Sequence, residues 1–111
     1  MLRPDVLRDS RDFKKLYKKG KSVPGKYMVV IHLGNGLEFN RYAFLASKKV
    51  GNSVKRNRAR RLMKEGLRGQ RDDLKPGNDI LFIARNGIAE AAFAEVTDSM
   101  NKALVRSGLY K

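Results

Sequence analysis

The 111-residue chain has no cysteine, no tryptophan and a single histidine, His32. Without cysteine there can be no disulfide, thiolate zinc site or Cys nucleophile, which suits a reducing compartment. One histidine leaves no His pair for metal binding or acid–base chemistry. No apolar run approaches the length of a membrane span, and no signal-peptide apolar stretch opens the chain. A cytoplasmic protein without a membrane partner is therefore expected. Acidic residues are also scarce, with 11 Asp and Glu against 25 Lys and Arg and a formal net charge of +14.

That shortage of acid is local. Residues 1–71 hold 20 Lys or Arg and 5 Asp or Glu, whereas residues 72–111 hold 5 and 6. A basic first two-thirds and a near-neutral remainder imply a one-sided electrostatic footprint facing a polyanion. With 41% hydrophobic residues the chain can build a small core, and its length allows one compact domain, 1–111.

The charge concentrates in Gly51–Arg68, GNSVKRNRARRLMKEGLR. From Lys55 onward seven of fourteen residues are basic and only Glu65 is acidic. Ala59, Leu62, Met63, Gly66 and Leu67 recur at helical spacing, which places Asn57, Arg60, Arg61, Lys64 and Arg68 on the opposite face. Asn52 or Ser53 serves as N-cap. Lys55 and Arg56 oppose the helix dipole, Lys64 and Arg68 repel at i, i+4, and Gly66 weakens the helix. A helix that works against itself in this way is expected to meet phosphates. The bland alternative is a solvated basic face.

Ahead of this helix, Asp9 or Ser10 caps a short helix ending at Gly20, preceded by an irregular lead-in, Met1–Arg8. Phe13, Leu16 and Tyr17 share one side of it. Phe13 and Tyr17 are either core anchors or an aromatic platform for unpaired bases. Strands are expected at 21–23, 27–33, 42–47 and 79–84, with the second and third forming an antiparallel hairpin within a meander. A parallel pairing of 42–47 with 79–84 follows from the helix between them. The last helix is expected from about Glu90 to Val105, with Ala89, Phe93, Val96, Met100, Ala103 and Leu104 on its apolar face, and Gly108 stops it. The fold class is α+β, a single-domain α/β sandwich of order αβββαβα with a four-stranded sheet.

Ser47-Lys48-Lys49-Val50-Gly51-Asn52, then Val54, Arg56-Asn57-Arg58, Arg60-Arg61 and Lys64-Glu65 together resemble the signature of the bacterial ribonuclease P protein subunit. The resemblance spans nearly the whole chain and implies a left-handed βαβ crossover presenting the basic helix. It implies an endoribonuclease holoenzyme in which an RNA subunit, with Mg2+, removes the 5′ leader of precursor tRNA. The protein would bind that RNA, one protein per RNA, through Lys48, Lys49, Asn52, Arg56, Asn57, Arg58, Arg60, Arg61, Lys64 and Arg68. It would bind the leader in a cleft formed by Phe13 and Tyr17 with the strand residues Met28, Val30 and His32. Met28 stands where the family often has an aromatic, and Lys64 where it often has Arg, exchanging a bidentate fork for a point charge.

In the protein itself no acid–base pair, metal-ligand spacing or phosphate-binding glycine loop is evident, so a binder without its own active site is expected. His32 is either a structural strand residue or, by alternation with Met28 and Val30, a cleft residue. The competing readings are a ribosomal or architectural RNA-binding protein with the same sandwich, a DNA-binding helix, and a metal-dependent protein nuclease.

Overall fold

A computed structural model describes residues 5–111; the first four residues of the lead-in lie outside the described part. Helix α1 spans Ser10–Lys19, strands β1 Lys21–Pro24, β2 Met28–Gly34 and β3 Arg41–Leu45, helix α2 Ser53–Arg68, strand β4 Asn78–Ala84 and helix α3 Phe93–Arg106. Short 3-10 turns occupy Arg71–Asp73 and Ile88–Glu90. The four strands form one mixed sheet in the order β1-β2-β4-β3.

β2 and β4 are the interior strands of the sheet, and both are apolar on both faces. Leu81 packs on the α1 side, while Ile80, Phe82 and Ala84 join the core beneath α2 and α3. β3 runs parallel to β4, with α2 as the crossover between them. β2 pairs antiparallel with β4 over the full seven residues of each strand.

The expected hairpin between the second and third strands does not form, because β4 lies between them. The connection 35–40 bridges the start of β4 and is held there by two asparagines. Asn35 donates its side-chain amide to Asp79 at 3.0 Å, and its backbone N–H reaches the Gly77 carbonyl at 2.9 Å. Asn40 donates to the Lys75 carbonyl at 2.9 Å and accepts the Asn78 N–H at 2.8 Å. Buried Asp79 then receives a bidentate fork from Arg41, both bonds at 2.8 Å, and Arg41 also pairs with Asp12 of α1 at 3.2 Å. This network ties α1, β3 and β4 together at one end of the sheet.

The α1 and α2 boundaries match their caps. Asp9 accepts the Arg11 N–H at 2.9 Å, and Asn52 accepts the Lys55 N–H at 3.0 Å. Gly20, the C-cap of α1, donates its N–H to the Leu16 carbonyl and packs so closely that a Cβ there would stand 2.5 Å from that oxygen. α3 begins at Phe93, three residues later than expected, because Ile88–Glu90 forms its own turn. Phe93 has the angular position of the apolar face but sits in the uncovered first turn, where it is 49% exposed.

Candidate nucleic-acid interface

α2 buries Ala59, Met63, Gly66 and Leu67 against the sheet and α3. That choice of buried face divides its cations between two flanks and the outer surface. On the flank toward the Ile88–Glu90 turn, Arg58 donates from Nε to the Ala89 carbonyl at 2.8 Å, and Lys55 pairs with Glu90 at 2.7 Å. The Lys55 hydrogen bond holds the Glu90 carboxyl below its ordinary range. On the other flank, Arg60 donates to the Asn57 side-chain oxygen, which fixes its direction. Arg68 pairs with Glu65 at 3.2 Å. Among the described residues Arg56, Arg61 and Lys64 have no carboxylate partner. Lys48 and Lys49 lie exposed in the turn that leads into α2, which is closed by the Val50 N–H to Ser47 carbonyl bond at 3.0 Å.

The flank bearing Arg60, Lys64 and Arg68 opens into a groove of about 540 Å³ that wraps around the outer edge of β3. Its far wall is Leu7 and Phe13, and its floor includes Phe44 and Leu45. A backbone strap closes one end: Tyr42 donates its N–H to the Asp5 carbonyl at 2.8 Å and accepts the Leu7 N–H at 2.9 Å. Arg71 pins this strap through an ion pair with Asp5, and its guanidinium lies 5.1 Å from the Tyr42 ring centre. The hydrogen bond to Asp5 raises the Arg71 pKa above its ordinary value. Apolar surface on one wall and cations on the other give the groove the two features a single-stranded polyanion with planar bases requires.

The residues expected to form a cleft with Phe13 and Tyr17 do not all gather there. Met28 and Val30 are fully buried on the opposite face of the sheet, among Met63, Phe82 and Met100. The side of β2 that faces α1 carries Val29, Ile31 and Leu33. Since successive strand residues alternate faces, the expected set was one position out of phase. His32 follows Met28 and Val30 to that far face, beside Lys21 of β1. Partial burial, then the Lys21 charge, lowers its pKa. On α1, Leu16 is the core anchor with no exposed surface, Phe13 is half-buried against the groove, and Tyr17 is 56% exposed. Phe44 and Leu45 were missed because no periodicity marks an outer strand edge, and Arg71 because it lies in the short 3-10 turn after α2. The signal was available only in Arg71 being the last cation of the basic region.

Fold and surface define a class: a small, basic α+β protein with a cationic helix beside a groove at the sheet edge. The family model for ribonuclease P matches residues 1–108. A ribonuclease P protein component from Thermoanaerobacter sp. (strain X514) is 43% identical over 104 residues, 94% of this chain and 90% of that protein. Its counterpart from Caldanaerobacter subterraneus subsp. tengcongensis is 40% identical over 105 residues, 95% and 90% of the two chains. The solved RNase P protein of Staphylococcus aureus superposes with a TM-score of 0.88 at 26% identity, covering 98% of this chain and all of that one. That of Thermotoga maritima does so at 0.81 and 30% identity, covering 91% and 96%. This chain belongs to the bacterial ribonuclease P protein family. Membership makes it a component of an endoribonuclease holoenzyme whose partner is an RNA subunit.

Proposed function

We propose that the protein binds the ribonuclease P RNA through α2 and holds the single-stranded 5′ leader of precursor tRNA in the groove at the β3 edge. The observation that carries this reading is the groove itself, whose lining combines Phe13, Phe44 and Leu45 with Arg60, Lys64 and Arg68. Bases stack on or pack against the first group and phosphates meet the second. Lys48 and Lys49, following directly after β3, extend the phosphate-facing side. Arg61, outermost on α2 and without an acidic partner, is the cation best placed for the RNA subunit. Arg58 contributes its free Nη groups while its Nε holds the neighbouring turn.

Three of the protein's carboxylates are engaged by arginines. Asp5 is committed to Arg71, and Asp12 and Asp79 to Arg41. Among the described residues no three His, Asp or Glu side chains come together. In this reading Mg2+ belongs to the RNA subunit, which carries the hydrolysis, and the protein acts by binding and orientation in the cytoplasm, one copy per RNA. No helix among the described residues is long and apolar enough to cross a membrane.

Reconstitution with a bacterial ribonuclease P RNA tests the proposal. At low Mg2+ the holoenzyme is expected to bind leader-bearing precursor more tightly than mature tRNA, and to cleave it. Equal affinity for the two substrates would overturn the leader assignment and favour a purely architectural role.

A further inference from the structure

On its flank away from the groove, α2 lies alongside α3, and two contacts fix how the helices match. Arg58 Nε donates to the Ala89 carbonyl, just ahead of α3, at 2.8 Å. Two turns later on α2, Gly66 stands against Thr97 and Met100 of α3. The helices therefore run side by side in the same direction. Leu62 is one turn before Gly66, and Phe93 is one turn before Thr97, so the same match sets Phe93 beside Leu62. Leu62 is half-buried against the core, whereas the Phe93 ring is exposed.

A lone exposed apolar side chain is ordinary, and it is the setting of Phe93 that carries meaning. Moving outward around α2 from Leu62, Arg58 follows at roughly 40° and Arg61 at roughly 100°. The bond from Nε to Ala89 holds the Arg58 guanidinium at the start of α3 and leaves its Nη groups for another partner. The acids of this region are engaged elsewhere. Glu65 pairs with Arg68 at 3.2 Å and Glu90 with Lys55 at 2.7 Å. Glu95 accepts the Ala92 N–H at 3.1 Å and the Tyr27 hydroxyl at 3.3 Å. An aromatic face thus stands next to an anchored guanidinium and to Arg61, neither of them in an ion pair among the described residues.

We propose that Phe93 is a stacking platform for an unpaired base of the RNA subunit, with the phosphates flanking that base on Arg58 and Arg61. Uncompensated arginines call for a polyanion, and the ring beside them offers a face to a base. The nucleotide is unpaired because a base inside a duplex presents no free face. It belongs to the RNA subunit because Phe93 lies across α2 from the groove assigned to the leader. This inference rests on the reading that α2 binds the RNA subunit. It adds a second helix and recognition of RNA shape to a contact otherwise made by charge.

The test measures binding of the full chain to a bacterial ribonuclease P RNA across a salt series. Phe93→Ala is expected to weaken binding roughly 5- to 100-fold, the loss of one stacked base. Its slope of log affinity against log salt should match the parent, because no phosphate contact is removed. Phe93→Leu keeps apolar bulk without a ring face and should bind as weakly as the alanine variant. Val105→Ala removes an exposed apolar side chain from the far side of α3 and should leave affinity unchanged. The chain has no tryptophan, so Phe93→Trp gives a single indole whose fluorescence should be quenched on binding, while that of Val105→Trp should not. Parent-like affinity of Phe93→Ala or Phe93→Leu, an equal loss in Val105→Ala, or an unquenched indole at 93 each overturn the inference. Arg61→Ala separates the two readings. If it weakens binding and flattens the salt slope while Phe93→Ala does neither, only the platform fails; if neither variant has an effect, the assignment of α2 to the RNA subunit fails with it. Thermal unfolding of each variant shows that the fold is kept.

Discussion

Met28 and Ile31 are three residues apart on β2 and serve opposite faces of the sheet, so the two faces can be probed separately for stability and for binding. Met28 is completely buried beneath α2 and α3. Met28→Ala is expected to cost about 2–5 kcal/mol of stability, with any loss of RNA affinity following from unfolding. Tyr17, on the α1 side and more than half exposed, should behave in the opposite way. Tyr17→Ala should change stability by less than about 0.5 kcal/mol and weaken leader-bearing substrate selectively; denaturant melts beside precursor and mature tRNA affinities decide between these outcomes. Asp9 offers a pH handle. Its hydrogen bonds from the Arg11 side chain and backbone lower its carboxyl pKa from 3.8 to about 2. A depressed carboxyl pKa stabilises above its unfolded value, and that contribution disappears as pH falls from about 4 through about 2. Because Asp9 is exposed, the loss should be local fraying of the first turn of α1, read by amide exchange. Asp9→Asn keeps a capping oxygen and should flatten this acid dependence.

At the scale of elements, α2 is both the crossover that allows β3 and β4 to lie parallel and the carrier of the charge. Its weakness in isolation is offset by packing, since Ala59 and Met63 are fully buried. Gly66 sits where α2 meets α3, yet the structure has room there for a larger residue. A Cβ would find Thr97 Oγ1 at 3.5 Å and Met100 Cε at 3.6 Å, both ordinary contacts. Gly66→Ala is therefore expected to stabilise the protein by roughly 0.5–1 kcal/mol through helix propensity. A lowered melting temperature would show that α2 and α3 need a closer approach than these distances imply. Gly20→Ala should destabilise, because its Cβ would meet the Leu16 carbonyl oxygen and Ile31 at 2.5 and 2.9 Å.

Over the whole molecule, the two most cationic helices, α1 with five basic residues against Asp12 and α2 with seven against Glu65, lie on opposite faces of one sheet, with the groove running around the edge between them. Neutralising Arg60, Arg61 and Lys64 together should weaken binding to the RNA subunit and reduce the salt slope by about 0.7–0.9 for each phosphate no longer neutralised. An unchanged slope would make these residues a solvated face. The sequence by itself determined the family, through the ordered run from Ser47 to Glu65, and it determined the helices, because caps and helical periodicity are local properties. It also identified the buried stripe of α2, since Ala59, Met63, Gly66 and Leu67 recur at helical spacing, although their burial sends the cations to two flanks as well as the outer surface. Tertiary structure decided the strand order. Nothing in the chain between β2 and β3 reports that β4, more than forty residues later, will enter between them. It decided the phase of β2 as well: MVVIHL is apolar on both sides, so only the helices packed above and below distinguish Met28 and Val30 from Val29 and Ile31. The groove lay beyond sequence reading for the same reason. It is assembled from a strap, an outer strand edge and two helices whose proximity arises from long-range packing, and no local pattern encodes that.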